Sequence, residues 1–374
     1  MAKLEILKYS VGIDVSKKVL QVCISQIDSL QNVVVKSTGS FNNDLSGFNS
    51  LLNWIPKHRK DVLASLTITM EATGIYHESC AFFFHGKQMD VSVVLPNTSK
   101  KFMQSLNLKS KNDFIDSVGL ARMGAERNLA KWAPISPNVY QLRTLIRHRQ
   151  SITENLTRIE NQLEGLRFSG YPSVEVTASL TRISEFLRDQ CAALNKTIES
   201  IVKNDAMLLE QCEILASVKG VGTLTAATII AETNGFIGFN NERQVVSYAG
   251  YDVIERQSGA KAAPTKISKK GNHHIRRILH MSSMSLINNK VEPFYNLWTR
   301  VYERTRIKMK AYVAVQRKLL TILYTLAKKK EKFDPEFNPN WHTPKSKKEG
   351  GTLRKEEAGG SLSALDRVGA LCAA

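Results

Sequence analysis

The chain has 374 residues, enough for more than one domain, and carries 52 Lys and Arg against 34 Asp and Glu, a formal net charge of +18. A surplus of this size favours a polyanionic partner such as nucleic acid. No apolar stretch approaches the roughly 18 residues of a membrane-spanning helix, and no signal peptide opens the chain, so we expect no membrane partner. The five cysteines are scattered and form no Cys-x-x-Cys pair. This argues against a zinc site or a disulfide framework and for a reducing cytoplasm.

The positive charge is concentrated in the second half of the chain. Residues 251–330 contain 18 Lys and Arg against four acids, whereas the first 130 residues contain 15 against 11. Cations that recur along helices are typical of a surface that binds a phosphate backbone. A single basic cluster is commonly just a solvated face, but that interpretation explains so long a basic segment poorly.

The first 130 residues predict a mixed sheet. Three short segments rich in Val and Ile come first, and helix-like and strand-like segments then alternate. Asp44 is a suitable N-cap for the first helix. We expect strands at 9–15, 19–26, 31–38, the run ending in Glu71 and 91–95, and helices at about 44–54, 75–87 and 113–129. This order is that of an α/β sheet of the RNase H type.

Four carboxylates stand where such a sheet would hold metal ligands. Asp14 and Glu71 each end a strand-like run, and Asp113 and Asp116 open a helix, three residues apart on one face. Ligands of open sheets gather at the carboxyl ends of parallel strands, so we expect the four side chains to converge. Converging carboxylates repel one another unless a cation compensates them, and oxygen ligands suit Mg²⁺. The pattern predicts a Mg²⁺ site, although any one of these acids alone would be interpreted as a surface residue.

A long helical region follows a boundary near residues 132–137. Two apolar seams with steps of three and four predict a coiled-coil helical hairpin over 134–212, broken at 170–173. The seams could pack within one chain, but their length favours oligomerisation. The first seam comprises Leu142, Leu145, Arg149, Ile152, Leu156, Ile159, Leu163 and Leu166, and the second Val176, Leu180, Ile183, Leu187, Leu194 and Ile201.

Residues 213–340 predict a mainly α-helical domain. Near its start, Lys219, Gly220 and Gly222 form a turn typical of a helix-hairpin-helix. Such glycines let backbone N–H groups and a helix N-terminus approach a DNA phosphate. The same glycine spacing occurs in ordinary helix links, but the basic composition favours phosphate binding.

A glycine- and alanine-rich loop near residue 260 predicts an accessible Ser258, beside Arg256, Lys261 and Lys266. A serine hydroxyl can attack phosphate when a base or metal activates it and cations stabilise the transition state. Ser268 lies close by, and the chemistry alone does not choose between the two serines.

Further cations continue from this loop into the helices that follow it, and the nucleic-acid contacts are expected there. The predicted nucleic-acid-binding residues are Lys219, Gly220, Gly222, Arg256, Lys261, Lys266, Lys269, Lys270, Arg276, Arg277, Arg304 and Arg306. The charged, Gly-rich tail at 341–374 is predicted to be disordered, and we assign it no function.

Taken in order, these motifs resemble the DEDD transposases of insertion sequences, which have a RuvC-like domain and are related to Piv-type DNA invertases. The resemblance spans about residues 9–330. Asn112 and Ser117 stand where the family often has Thr and Ala, and neither difference removes a ligand. The matching segments are Gly12-Ile13-Asp14-Val15-Ser16-Lys17, Met70-Glu71-Ala72-Thr73-Gly74, Lys111-Asn112-Asp113-Phe114-Ile115-Asp116, Val218 to Gly222, Ala249-Gly250, Ser258-Gly259 and Ile267 to Asn272.

The resemblance implies a composite active site and a covalent mechanism. The four acids would hold Mg²⁺, and Ser258, which matches the position of the family's nucleophile, would form a phosphoserine link that conserves the phosphodiester energy without ATP. The two halves of the site often come from different protomers in the family.

The resemblance also implies the partners. Insertion-sequence members are guided by a structured bridge RNA that pairs with target and donor DNA. The expected partners are therefore double-stranded donor and target DNA, a guide RNA, and further copies of the chain in a dimer or tetramer. The expected location is the prokaryotic cytoplasm, in association with the nucleoid.

Other functions remain open at this level. A RuvC-like endonuclease would cut DNA with the help of bound metal ions and without a covalent intermediate. A Piv-type invertase would act without a guide RNA. The segment Gly12-Ile13-Asp14 also resembles the first phosphate strand of sugar kinases, but the chain has no second Gly-rich phosphate turn. A basic C-terminal half has no role in a kinase, so that alternative is the weakest.

Overall fold

Five strands form one mixed sheet in the computed structural model, which describes residues 5–106, 112–255, 257–258, 261–262 and 265–334. β1 (Ile6–Val15), β2 (Val19–Asp28) and β3 (Val33–Asn42) are antiparallel neighbours, and β4 (Ser65–Glu71) and β5 (Asp90–Val94) join β1 in parallel. The strand order is β3-β2-β1-β4-β5. The predicted mixed sheet is confirmed. The third strand lies later than predicted because Asp28 accepts hydrogen bonds from the N–H groups of Leu30 and Asn32 and forms a turn.

Four helices accompany the sheet: α1 (Leu45–His58), α2 (Glu78–Gly86), α3 (Pro96–Ser105) and α4 (Asp113–Glu126). Asp44 caps α1 as predicted, because its carboxylate accepts a hydrogen bond from Gly47 N–H at 2.8 Å. The sequence did not predict α3, which begins with a proline at the first helical position. Helices α1 and α2 share one apolar core with the sheet, and α3 and α4 contribute to a second.

Helix α4 lies unusually close to the first strand. A Cβ atom added at Gly12 would lie 2.1 Å from Ala121 N and 2.3 Å from Ser117 O, so only glycine fits there. A Cβ added at Gly124 would likewise lie 2.3 Å from Ser10 Oγ. Position 124 therefore adjoins residue 10 and positions 117–121 adjoin residue 12. It follows that α4 runs antiparallel to β1 and brings its N-terminus to the end of β1 that carries Asp14.

Two 31-residue helices, α5 (Pro137–Arg167) and α6 (Val174–Asn204), form the predicted antiparallel hairpin. The two helices are antiparallel, because residues later in α5 contact residues earlier in α6. The contacting pairs are Arg149–Asn195, Thr153–Cys191 and Glu160–Arg188.

Helix α5 leaves two positions of the predicted second seam uncovered. Val176 is 48% exposed and Ile183 is 42% exposed. Ser184 and Ile198 are buried instead. Within the chain, the face of α6 that meets α5 therefore differs from the predicted seam at these two positions, while Leu180, Leu187, Leu194 and Ile201 are half-buried.

Helices α7 (Ala206–Ala216) and α10 (His273–Asn288) pack against α8 (Thr223–Thr233), most of whose residues are buried, and α12 (Lys308–Lys329) packs against α7 and α10. Between α9 and α10 the chain forms two short antiparallel ribbons, where the sequence predicted a loop. The predicted boundary at 212/213 falls inside α7. The helices are α7 (Ala206–Ala216), α8 (Thr223–Thr233), α9 (Glu242–Tyr248), α10 (His273–Asn288), α11 (Phe294–Thr305) and α12 (Lys308–Lys329), and the strands are β6 (Val253–Ile254), β7 (Gln257–Ser258), β8 (Lys261–Ala262) and β9 (Lys266–Ile267).

Some predictions fall outside the described residues. They concern Arg256, the side chains of Ser258 and Lys261, and the tail at 341–374. Within the described parts of the chain, no helix combines the length and the apolar character needed to cross a membrane.

Candidate active site and nucleic-acid surface

Asp14 lies at the end of β1 among three other acids. Burial, followed by the charges of Asp113, Asp116 and Glu71, raises the pKa of its carboxyl group to about 6. The four predicted acids are therefore electrostatic neighbours, although they come from two strands and one helix. Their mutual repulsion favours a bound cation or proton.

Helix α4 presents its two aspartates from its first turn. Asn112 begins the helix, with its side-chain oxygen accepting a hydrogen bond from Ile115 N–H at 2.8 Å. Asp113 and Asp116 follow in the first turn, on the side that the close contact with Gly12 brings towards Asp14.

Glu71 is held by a residue that the sequence did not single out. Ser99 is 1% exposed and donates a hydrogen bond from Oγ to Glu71 Oε2 at 2.6 Å. The serine stands in the first turn of α3, the helix that the sequence analysis missed. The Pro96 signal at the start of that helix could have revealed it.

Asn43 connects the two loops that follow the strand-end acids. Its Nδ2 donates to Ser16 O at 2.8 Å, just after Asp14, and to Tyr76 O at 3.1 Å, in the loop after Glu71. Its Oδ1 is shielded from solvent and accepts no hydrogen bond from a described residue. Asn43 therefore ties the two acid-bearing loops together, a role that only the three-dimensional contact reveals.

The acids supply the donor type that Mg²⁺ requires, since carboxylate oxygens are hard ligands. In the described part of the chain, no three His, Cys, Asp or Glu side chains are arranged to hold a metal ion. The four acids are thus close enough for their charges to interact, but their carboxylates do not converge on one point in this conformation. The Mg²⁺ site stays a prediction, chemically compatible with these residues.

The predicted nucleophile lies in the short β7–β8 ribbon. Ser258 pairs with Lys261 in the β7–β8 ribbon. Ser268, the alternative serine, is half-buried, and its Oγ donates to Gly250 O and accepts from Lys270 N–H, both at 3.3 Å. Its hydroxyl therefore contributes to the shape of the loop before α10.

Two family models match the chain. A transposase model of the DEDD type of IS110 elements matches residues 11–167, and the model of the transposase IS116/IS110/IS902 family matches residues 212–298. The chain belongs to this transposase family. It is therefore an enzyme of the DNA transposase and recombinase class.

Similar proteins cover nearly the whole chain. A pilin gene-inverting protein of Moraxella bovis is 26% identical over 328 residues, 87% of this chain and 98% of the relative. The corresponding protein of Moraxella lacunata has the same identity and coverage. The transposase for insertion sequence element IS1111A of Coxiella burnetii (strain RSA 493 / Nine Mile phase I) is 21% identical over 354 residues, 86% of this chain and 90% of the relative.

The cations predicted to bind nucleic acid fall into two groups in this transposase. Arg276 donates to the carbonyls of Ala249 and Gly271, and Arg277 forms an ion pair with Glu154, so both guanidinium groups serve internal contacts. The others with described side chains are exposed and form no ion pair with a described residue. These are Lys219, Lys266, Lys269, Lys270, Arg304 and Arg306.

The predicted phosphate-binding turn of the transposase lies between α7 and α8. Gly220 has a φ of +89°, a conformation that favours glycine, and Gly222 is the N-cap of α8. Lys219, Gly222 and Thr223 are exposed, whereas Val218 and Val221 are buried and anchor the turn. The turn thus offers a helix N-terminus and a cation on one surface.

Proposed function

We propose that this transposase cuts and rejoins DNA strands by serine phosphodiester transfer, with Ser258 as the nucleophile and Asp14, Glu71, Asp113 and Asp116 as ligands of Mg²⁺. The observation that carries the proposal is that Asp113, Asp116 and Glu71 lie near enough to Asp14, at the end of β1, for their charges to help burial raise its pKa to about 6. A group of acids that repel one another in this way suits a divalent cation.

The sheet is proposed to be of the RNase H, or RuvC-like, type. Three antiparallel strands followed by two parallel ones, in the order β3-β2-β1-β4-β5, support this assignment. Asp14 and Glu71 lie at the same ends of two adjacent parallel strands, since β1 and β4 are paired in parallel. Such an edge is where open sheets gather ligands.

In the transfer step, Ser258 Oγ attacks the phosphorus of a DNA phosphodiester. The Oγ–P bond forms, the P–O bond to one sugar oxygen breaks, and the proton lost from the serine is balanced by one gained by the released hydroxyl. A hydroxyl of the second strand then attacks the phosphoserine, which restores a phosphodiester and frees the serine. Bound Mg²⁺ would stabilise the charge on the phosphate oxygens.

We further propose that the active protein is a dimer or tetramer that acts with a structured guide RNA. Apolar side chains on α6 that α5 does not cover support self-association: Val176, Ile183 and Phe186 are 48%, 42% and 61% exposed. The number of exposed cations is larger than one short DNA contact would use, so basic surface remains for an RNA. Residues 174–204 would bring the serine of one protomer to the acids of another.

A Piv-type invertase that needs no guide RNA is the second candidate. It is favoured by the match to the pilin gene-inverting protein of Moraxella bovis, of which the alignment covers 98%. A RuvC-like endonuclease without a covalent step is the remaining alternative. Sequencing the RNA that co-purifies with the protein distinguishes the guided enzyme from the invertase.

The chemical proposal is tested with Asp14→Asn and Ser258→Ala. Both variants should bind DNA and should lose strand cutting and the covalent protein–DNA adduct. A suicide substrate, followed by mass spectrometry, should place the phosphate on Ser258. An adduct on Ser268 would assign the nucleophile to the other serine, and cutting by Ser258→Ala without any adduct would favour the endonuclease.

A further inference from the structure

Helix α11 carries a column of parallel aromatic rings. Tyr295, Trp298 and Tyr302 are three and four residues apart, so they share one helix face. The Tyr295 and Trp298 ring centroids are 6.4 Å apart and those of Trp298 and Tyr302 are 5.0 Å apart, with 18° between the planes in both pairs. Tyr312 of α12 adjoins the column, with its centroid 6.1 Å from that of Trp298.

This arrangement differs from the ring packing in the cores of the protein. Phe41–Trp54, Phe83–Phe84 and Phe236–Tyr324 meet edge to face, with interplanar angles of 69°, 89° and 79°. Within the described chain, the α11 rings form the stacked pairs, and these rings are only half-buried. On α11, Phe294 is the one residue that is fully buried. The column is therefore a surface feature beside the core.

Two polar atoms beside the column have no partner among the described residues. Trp298 Nε1 and Thr299 Oγ1 are both shielded from solvent, and neither forms a hydrogen bond there. A shielded indole N–H normally donates a hydrogen bond. The pair thus offers a donor and a hydroxyl to a polar group of a ligand that lies against the rings.

The surroundings of the column are strongly basic. The segment 300–310 contains five cations and one acid, Glu303. The cations are all exposed and are Arg300, Arg304, Arg306, Lys308 and Lys310. Charge of this density attracts phosphates, and flat rings among cations are the combination by which proteins hold unpaired nucleotides.

We propose that the α11 aromatic column, Tyr295, Trp298 and Tyr302, is a stacking site for the unpaired bases of a single-stranded nucleic-acid segment. The surrounding cations would hold its phosphates, and Trp298 N–H would donate to a base or phosphate oxygen. This inference rests on the proposed function, because strand exchange exposes unpaired nucleotides in DNA and a guide would supply them in RNA. Both sources present the same base and phosphate chemistry.

The test compares probes with and without bases. Asp14→Asn protein, freed of nucleic acid, is titrated into fluorescein-labelled single strands of about 12 nucleotides, a length within the usual site size. The probes are oligo(dT), oligo(rU), an abasic strand with the same number of phosphates, and a DNA duplex. We expect the base-containing strands to bind about ten-fold or more tightly than the abasic strand.

The Trp298→Leu variant keeps apolar volume but removes the stacking ring. It should bind oligo(dT) no better than the abasic strand, while its abasic affinity and its dependence on salt stay unchanged, because the phosphate contacts remain. Tyr302→Leu is the second variant in case Trp298→Leu fails a thermal-melting check. Tyr171→Leu is the matched control, since Tyr171 is 99% exposed near the hairpin tip and away from the basic segment.

Equal affinity for abasic and base-containing strands, or a base preference that survives Trp298→Leu, would overturn the proposal. The duplex reports the separate phosphate contacts of the exposed cations. A preference for oligo(rU) over oligo(dT) would identify RNA as the occupant, and the reverse would identify DNA. Since no strand is cut in this assay, its outcome is separate from the serine mechanism. Failure of Ser258→Ala to abolish cutting would contradict that mechanism and leave this result standing.

Discussion

Arg147 holds Glu232 through two hydrogen bonds, from Nε to Oε1 at 2.8 Å and from Nη2 to Oε2 at 2.7 Å. The carboxylate of Glu232 is fully buried in α8, whereas Arg147 stands on α5. Asn272, the N-cap of α10, donates to the same carboxylate at 2.7 Å. One buried acid therefore joins the helical hairpin to the start of α10.

Removing the arginine should destabilise the protein. Burial by itself raises the pKa of Glu232, but the hydrogen bonds from Arg147 and Asn272 outweigh it and hold that pKa below its ordinary value. Arg147→Ala leaves a buried carboxylate with too few partners, and we expect a loss of about 3 kcal/mol in the free energy of unfolding by urea at neutral pH. Arg188→Ala, which removes an exposed ion pair with Glu160, should cost less than about 1 kcal/mol.

The pair Arg147–Glu232 should make the stability of the folded protein depend on pH, and the sign of this dependence follows from the pKa shift. Because the pKa of Glu232 is lowered in the folded state, its contribution is present above the ordinary value of 4.5 and is lost as the pH falls through the folded-state pKa. Arg147→Ala should therefore lose less stability than the wild type between neutral and acid pH. An equal loss in both proteins would contradict this account.

Gly12→Ala should disturb the candidate metal site without touching any of its acids. The new Cβ would meet the backbone of α4 at 2.1 Å, and backbone atoms cannot move aside as a flexible side chain can. We expect destabilisation of about 1–3 kcal/mol and reduced strand cutting, because Asp113 and Asp116 move with the helix. Gly165→Ala is the control: it lies within α5 with nothing near the added atom, and should stabilise by about 0.5–1 kcal/mol.

Local signals explain which parts of this structure the sequence could predict. The strands and Asp44 were predictable because residue alternation, β-branched content and capping chemistry act over a few neighbouring residues. Ser99 and Asn43 were not, since their roles arise from contacts with Glu71 and with the loop at Tyr76, far along the chain. The exposure of Val176 and Ile183 could not be predicted for a related reason, because both residues continue an apolar pattern that α5 does not cover.

Asp14→Asn should stabilise the metal-free protein. Burial, followed by the charges of Asp113, Asp116 and Glu71, raises the pKa of Asp14 from 3.8 to about 6. The folded state then binds this proton more tightly than the unfolded state, so stability falls as the pH rises through that window. At neutral pH the uncharged asparagine should raise Tm by a few degrees.

Added Mg²⁺ should raise the Tm of the wild type, because an ion that binds only the folded state stabilises that state. The same ion should raise the Tm of Asp14→Asn much less. Asp189→Asn, at an exposed acid of α6, should change neither Tm nor its response to Mg²⁺. A wild-type Tm that does not respond to Mg²⁺ would contradict the predicted metal site.

Exposed and internally paired cations should differ in their effect on DNA binding. The affinity for duplex DNA should fall steeply with salt, because each phosphate contact releases counterions. Arg304→Ala and Lys270→Ala each remove an exposed cation, so each should lower the slope of log Kd against log salt by about 1. Arg277→Ala should change the slope little, because its guanidinium group is already paired with Glu154. If Arg277→Ala lowers the slope as much as Arg304→Ala, the ion pair opens when DNA binds.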